Sequence, residues 1–132
     1  MTLPMTRCSV LLVDDEQLIL DLYSTALRQS GFTVHQASDP ASARAIYAHA
    51  RPQITCIDGR MIGHSGADLA RHLIDAGCNV VVFTNDQKLY DHPPAGVAGR
   101  LIKVNTRPAE LGDRLQEILA GTPDPQGHPQ ER

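Results

Sequence analysis

The sequence is poor in cysteine, in long apolar runs and in positive charge, and each shortage excludes something. Its three cysteines, Cys8, Cys56 and Cys78, are odd in number, widely spaced and set beside or within apolar strand-like runs. That pattern excludes a disulfide framework and a CxxC metal site, and leaves reduced core thiols. No segment reaches the roughly 18 to 20 continuous apolar residues that span a bilayer. The opening "MTLPMTRCSV" also lacks the layout of a secretory signal. A cytoplasmic protein without membrane insertion is therefore expected. The formal net charge is −3 and the 12 cationic residues are scattered, so direct binding to nucleic acid is not expected. The six histidines (His35, His49, His64, His72, His92 and His128) show no ligand spacing and read as surface or partly buried residues without chemistry.

What is present is an alternation. With 132 residues the chain is sized for one domain. "CSVLLV" (8–13) is a short aliphatic run, apolar on both faces, as a strand inside a parallel sheet should be. From Glu16 the spacing turns helical, with Leu18, Ile19, Leu22, Ala26 and Leu27 on one face and Gly31 as the stop. "FTVHQA" (32–37) reads as the second strand. A second helix follows, capped by Asp39 with Pro40 as its first residue and faced inward by Ala43, Ile46, Tyr47 and Ala50. "QITCI" (53–57) is a third strand, and Ser65 with Asp68 reads as a capping box for a helix running to Gly77. "CNVVVF" (78–83) is the fourth strand. The segment after Thr84 holds Pro93, Pro94, Gly96 and Gly99, so a fourth helix must be short. "RLIKV" (100–104) is the fifth strand, and Leu111, Leu115, Ile118 and Leu119 stripe a last helix from near Thr106 to Gly121. Residues 8–120 are thus expected to form one α/β domain between a short extension (1–7) and a polar, Pro-rich, disordered tail (121–132).

Five strand-then-helix units imply a parallel sheet covered on both faces, with ligands at the carboxyl ends of the strands. The residues at those ends are Asp14 and Asp15, Asp58, Thr84 and Lys103. Three carboxylates brought close would raise one another's pKa unless a cation neutralised them, and oxygen donors of this kind suit Mg²⁺. A carboxylate beside such an ion can attack phosphorus and form an aspartyl phosphate. Lys103 as a point charge and Thr84 as a hydroxyl donor could then neutralise the transferred group.

"VLLVDDE", "IDGRMIGHSG", "VVFTN" and "RLIKV" together resemble the signature segments of the receiver domain of bacterial two-component response regulators, over about residues 8–120. The resemblance implies a flavodoxin-like (βα)5 fold with strand order 2-1-3-4-5. It assigns Mg²⁺ binding to Asp14, Asp15, Asp58 and the backbone carbonyl of Arg60, phosphoacceptance to Asp58, and phosphoryl contacts to Thr84 and Lys103. The donor would be a sensor histidine kinase or a histidine phosphotransfer protein, and the output a contact with a downstream target protein. No activity beyond the protein's own phosphorylation and dephosphorylation is expected. Met61 and Gly66 fit the family's third-strand loop. Three positions depart from the pattern: Ile62 and Val104 replace prolines, so a cis peptide before Val104 is not expected, and Arg100 stands where a switch aromatic is usual.

Taken one at a time, the acids could be helix N-terminal residues or, for Asp58 before Gly59, a turn former, and Lys103 a solvated strand-end charge. Their joint placement on separate strand ends carries the inference. Arg60 and Asp86, of opposite charge and each two residues beyond a strand-end site residue, are expected to pair over the site. The expectation is a stand-alone, single-domain response regulator. A second reading is a phosphorylation-independent binding module whose switch has degenerated at Arg100 and Val104. A flavin carrier would need a phosphate-cradling loop where this chain has "DDEQ", and an aspartate-nucleophile phosphatase a second acid where it has Arg60.

Overall fold

The apolar runs become five strands, β1 (Ser9–Val13), β2 (Thr33–Ala37), β3 (Ile54–Asp58), β4 (Asn79–Thr84) and β5 (Gly99–Ile102). Between and after them lie helices α1 (Gln17–Gln29), α2 (Pro40–Ala50), α3 (Ala67–Asp75), α4 (Gln87–Asp91) and α5 (Pro108–Leu119). The structure, a computed structural model, describes residues 8–61 and 67–121. The capping box at Ser65, Ile62 and Gly66, His64 and His128, the N-terminal extension and the tail beyond Gly121 lie outside the described residues.

All strand pairs are parallel, in the order β2-β1-β3-β4-β5. Successive strand residues point to opposite faces, so β1 feeds two cores at once. Val10 and Leu12 join Leu20, Tyr23, Leu27, Phe83, Leu111 and Leu115 beneath α1 and α5. Leu11 and Val13 join Ala43, Tyr47, Leu69, Leu73, Val80 and Val82 beneath α2 and α3. This double burial is why β1, β3 and β4 read as nearly continuous apolar runs.

The inner face of α1 differs from the expected stripe. Leu18 and Leu22 are exposed, while Leu20, Tyr23, Ser24 and Leu27 are buried. Tyr23 decides the rotation: its ring meets Phe83 edge-on at 5.2 Å, and its hydroxyl donates to the Thr106 carbonyl at 2.8 Å. Burying a side chain such as Leu20 or Leu27 stabilises by roughly 1.5–3 kcal/mol, which neither Leu18 nor Leu22 could contribute from the opposite side.

The helix boundaries have identifiable causes. Asp39 caps α2 by accepting from the Ser42 N–H at 2.7 Å, with Pro40 as the first helical residue. Gly31, at φ 97°, turns the chain from α1 into β2 through the left-handed region that a Cβ disfavours. The fourth helix is short, as expected: it runs five residues before the chain reaches Pro93 and Pro94.

The fifth strand ends earlier than the sequence pattern implied. Lys103 and Val104 lie in a 3₁₀ turn, and Val104 N–H donates to the Asn85 side chain at 2.8 Å instead of to a strand neighbour. The last helix likewise starts at Pro108, after Thr106 has turned its hydroxyl onto the Ile102 carbonyl at 2.9 Å. There is no cis peptide bond among the described residues.

Candidate functional site

The carboxyl edge of the sheet gathers the strand-end residues into one cluster. Asp14 follows β1 directly, and its backbone N–H extends the ladder to Ala37 at 3.1 Å, which holds its carboxyl group against the sheet. One oxygen, Oδ1, accepts from the Glu16 N–H at 2.9 Å, and Oδ2 accepts from Lys103 Nζ at 2.9 Å. Asp58 closes β3, and its Oδ1 accepts from the same ammonium at 2.7 Å. Both carboxylates are buried, and the lysine between them gives each a charge-assisted hydrogen bond.

Lys103 stands just beyond β5, largely covered, with its ammonium 5.7 Å from the centroid of the Phe83 ring. Burial alone would depress its pKa. The hydrogen bonds and charges of Asp58 and Asp14 outweigh burial and hold the ammonium above the ordinary lysine value.

Asp15 is exposed, and it completes a group of three acids with Asp14 and Asp58. Each offers an oxygen within 4.8 Å of the others. An all-carboxylate set that converges to this degree fits a hard divalent ion and could hold one. Thr84 ends β4 beside Asp58, with its Oγ1 accepting from the Asp86 N–H at 2.9 Å. Gly59 explains how the strand ends come so close, since a Cβ there would collide with the Thr84 side chain and with Leu89.

Arg60 lies in the single helical turn Gly59–Met61 that follows Asp58. The expectation that it pairs with Asp86 is wrong. Its Nε donates to Asp58 Oδ2 at 3.3 Å, and its Nη2 donates to Asp15 Oδ1 at 2.9 Å and to Glu16 Oε1 at 3.3 Å. Three carboxylates outcompete one, and Asp86 is engaged as the cap of α4, accepting from Lys88 N–H at 3.0 Å. The Asp58 and Asp15 charges raise the Arg60 pKa further.

The cluster therefore joins Asp14, Asp15, Asp58, Lys103 and the Arg60 side chain, with Thr84 at the adjoining strand end. Glu16 belongs to it too, which the sequence reading missed. The third acid of "DDE" was the signal that could have found it. Cys56, beneath the site, is buried enough for its thiol to be pushed up to about 12, and it takes no part in polar chemistry at neutral pH.

A parallel five-stranded sheet with acids at the ends of its first and third strands and a lysine beyond its fifth has the architecture of a flavodoxin-like signalling domain. The chain belongs to the response regulator receiver domain family of two-component signalling, whose profile matches residues 10–108. It is 31% identical over 119 residues to the probable transcriptional regulatory protein TcrX of Mycobacterium tuberculosis, across 86% of this chain and 50% of that protein. It is 32% identical over 65 residues to the phosphate regulon transcriptional regulatory protein PhoB of Pseudomonas aeruginosa, across 49% of this chain and 28% of that protein. The chain thus spans half or less of the length of these relatives. Among solved structures it is similar to the chemotaxis response regulator CheY4 of Vibrio cholerae, with TM-score 0.73 and 25% identity over 86% of this chain and 99% of that one. The signal receiver domain of the putative response regulator NarL from Mycobacterium tuberculosis shares the fold, with TM-score 0.75 and 22% identity over 89% of this chain and 99% of that one.

Proposed function

We propose that the protein accepts a phosphoryl group on Asp58 from the phosphohistidine of a sensor histidine kinase or a histidine phosphotransfer protein, and passes the signal on by contact with a target protein. The observation that carries this reading is the Lys103 ammonium bridging Asp14 and Asp58 at the carboxyl edge of the sheet. In the transfer, an Asp58 oxygen attacks phosphorus and the O–P bond forms while the P–N bond to the donor imidazole breaks. The electron pair of that bond stays on the imidazole nitrogen.

Each residue has a task in this step. Lys103 holds an Asp58 oxygen by hydrogen bond beforehand, and its ammonium neutralises the transferred oxygens afterwards. The Thr84 oxygen currently accepts a backbone N–H, which leaves its own proton available to donate to the phosphoryl group. Asp14, Asp15 and Asp58, with the backbone carbonyl of Arg60, would hold Mg²⁺. That ion, when bound, supplies further neutralisation of the phosphoryl charge. Catalysis is confined to the protein's own phosphorylation and dephosphorylation, and within this reading it works in the cytoplasm alongside its donor.

A second reading, a receiver-like binding module that works without phosphate, draws on two observations. Arg100, in the place of the expected aromatic, lies over the buried Tyr90 ring at 5.1 Å, and Val104 is exposed in the 3₁₀ turn. Intact mass after incubation with a small acyl phosphate and Mg²⁺ separates the two. The first reading expects one added phosphoryl group in the wild type, and none in Asp58→Ala or with a chelator. No gain in a folded protein that binds the metal would favour the second.

A further inference from the structure

We infer that Arg60 is a displaceable counter-cation, whose guanidinium stands in for the divalent ion at the acid cluster and must leave before that ion can bind. The inference rests on the reading that the acids hold a metal, and concerns a side chain to which that reading gives no role, since only the Arg60 carbonyl was assigned there.

Two cations serve the cluster, and they differ in kind. Lys103 is largely covered and takes Asp14 Oδ2 and Asp58 Oδ1. Arg60 has a side chain 60% exposed, and takes the remaining Asp58 oxygen, Oδ2, together with Asp15 Oδ1 and Glu16 Oε1. Its planar fork spans two of the three acids whose oxygens converge within 4.8 Å, Asp15 and Asp58. A guanidinium and a metal ion cannot share that space, because both are cations and both need the same oxygens.

Charge explains why an exchange is favourable. Four carboxylates, those of Asp14, Asp15, Glu16 and Asp58, face one ammonium and one guanidinium, so two negative charges remain unbalanced. With the guanidinium gone three negative charges remain, and a divalent ion cuts them to one where Arg60 left two. The Arg60 pairs with Asp15 and Glu16 are exposed at both ends and individually weak, and the buried Asp58 keeps its bond to Lys103 when Arg60 swings into water, whereas the covered Lys103 pair cannot be opened cheaply. Arg60 therefore sets how much metal the site needs before it fills, and fills the cluster with positive charge when metal is scarce.

The test is calorimetric titration of the full chain with Mg²⁺ as wild type and as Arg60→Ala, which keeps the backbone carbonyl. Alongside it, the Arg60 Nε–H resonance is followed by ¹⁵N NMR in the wild type. Arg60→Ala should bind about tenfold more tightly, the combined effect of two exposed pairs and one to Asp58 that no longer need breaking. The Arg60 Nε–H signal should shift with the same midpoint as metal saturation. Equal or weaker binding by Arg60→Ala overturns the inference, as does an Arg60 signal unmoved at saturation, and the metal reading survives both results. If neither protein binds Mg²⁺ while both are folded, the metal reading falls and this inference with it.

Discussion

Lys103 is the residue on which most of the site's electrostatics turn. Two buried carboxylates facing each other would repel, and the ammonium at 2.9 and 2.7 Å converts that repulsion into two charge-assisted hydrogen bonds. Because its folded pKa is raised, this contribution is fully present below the ordinary lysine value of 10.5 and is lost only as pH rises through the higher folded value. Replacing Lys103 by Met should therefore destabilise the metal-free protein at neutral pH by about 3 kcal/mol, the low end for breaking a buried pair, because the site is partly open. Urea unfolding with a chelator measures that loss, and added Mg²⁺ should recover part of it by neutralising the same acids. An unchanged unfolding midpoint would show that the lysine does not compensate the acids. At this scale the sequence was highly informative, since Asp14, Asp58 and Thr84 were identifiable at strand ends and Lys103 lies one residue beyond one. Arg60 was not, because its alternatives, Asp86 on one side and Asp15 and Glu16 on the other, differ only in three-dimensional distance.

Among the elements, α2 shows how a cap carries pH dependence. The Ser42 N–H bond holds the Asp39 carboxyl below its ordinary value of 3.8, with the Ser42 hydroxyl adding to it. A depressed folded pKa means stability that is present above the unfolded pKa and is lost as pH falls through the folded one. Asp39→Ala should lower the thermal midpoint by a few degrees at pH 7, and the difference should vanish on acidification below the ordinary carboxylate range. A difference that persists in strong acid would assign the effect to something other than the ionised cap.

The helices also mark where pattern reading reached its limit. In α2 the stripe of Ala43 and Tyr47 was legible because nothing competed with it. In α1, apolar residues occur on more than one side, and only the Tyr23 contacts with Phe83 and Thr106, 60 and 83 positions away, select the face that turns inward. The end of β5 was misjudged for a similar reason. Val104 has strand propensity, but the Asn85 side chain from the β4–α4 loop captures its N–H.

At the scale of the whole molecule, fold and site come from one rule. Strands joined by helical crossovers run parallel and are covered on both faces, which sends every carboxyl end to the same edge. The order β2-β1-β3-β4-β5 sets β1 beside β3, which puts Asp14 near Asp58. It sets β4 beside both β3 and β5, which brings Thr84 and Lys103 to the same edge. Both the strand order and the convergence of Asp14, Asp15, Asp58 and Lys103 at one edge could be anticipated from the four signature segments. What the segments could not carry is the charge traffic around them, namely Glu16, the Arg60 clamp and the Arg100 stack on Tyr90.

The central claim is that Asp58, among all these acids, is the one that takes the phosphoryl group. The measurement that tests it most directly is borohydride reduction of the phosphodonor- and Mg²⁺-treated protein, followed by peptide mass mapping, since an acyl phosphate is reduced to an alcohol where a free carboxylate is not. The account predicts reduction at Asp58 alone, absent when the metal is chelated. Reduction at Asp14, Asp15 or Glu16, or none anywhere in a protein that holds its metal, would contradict it.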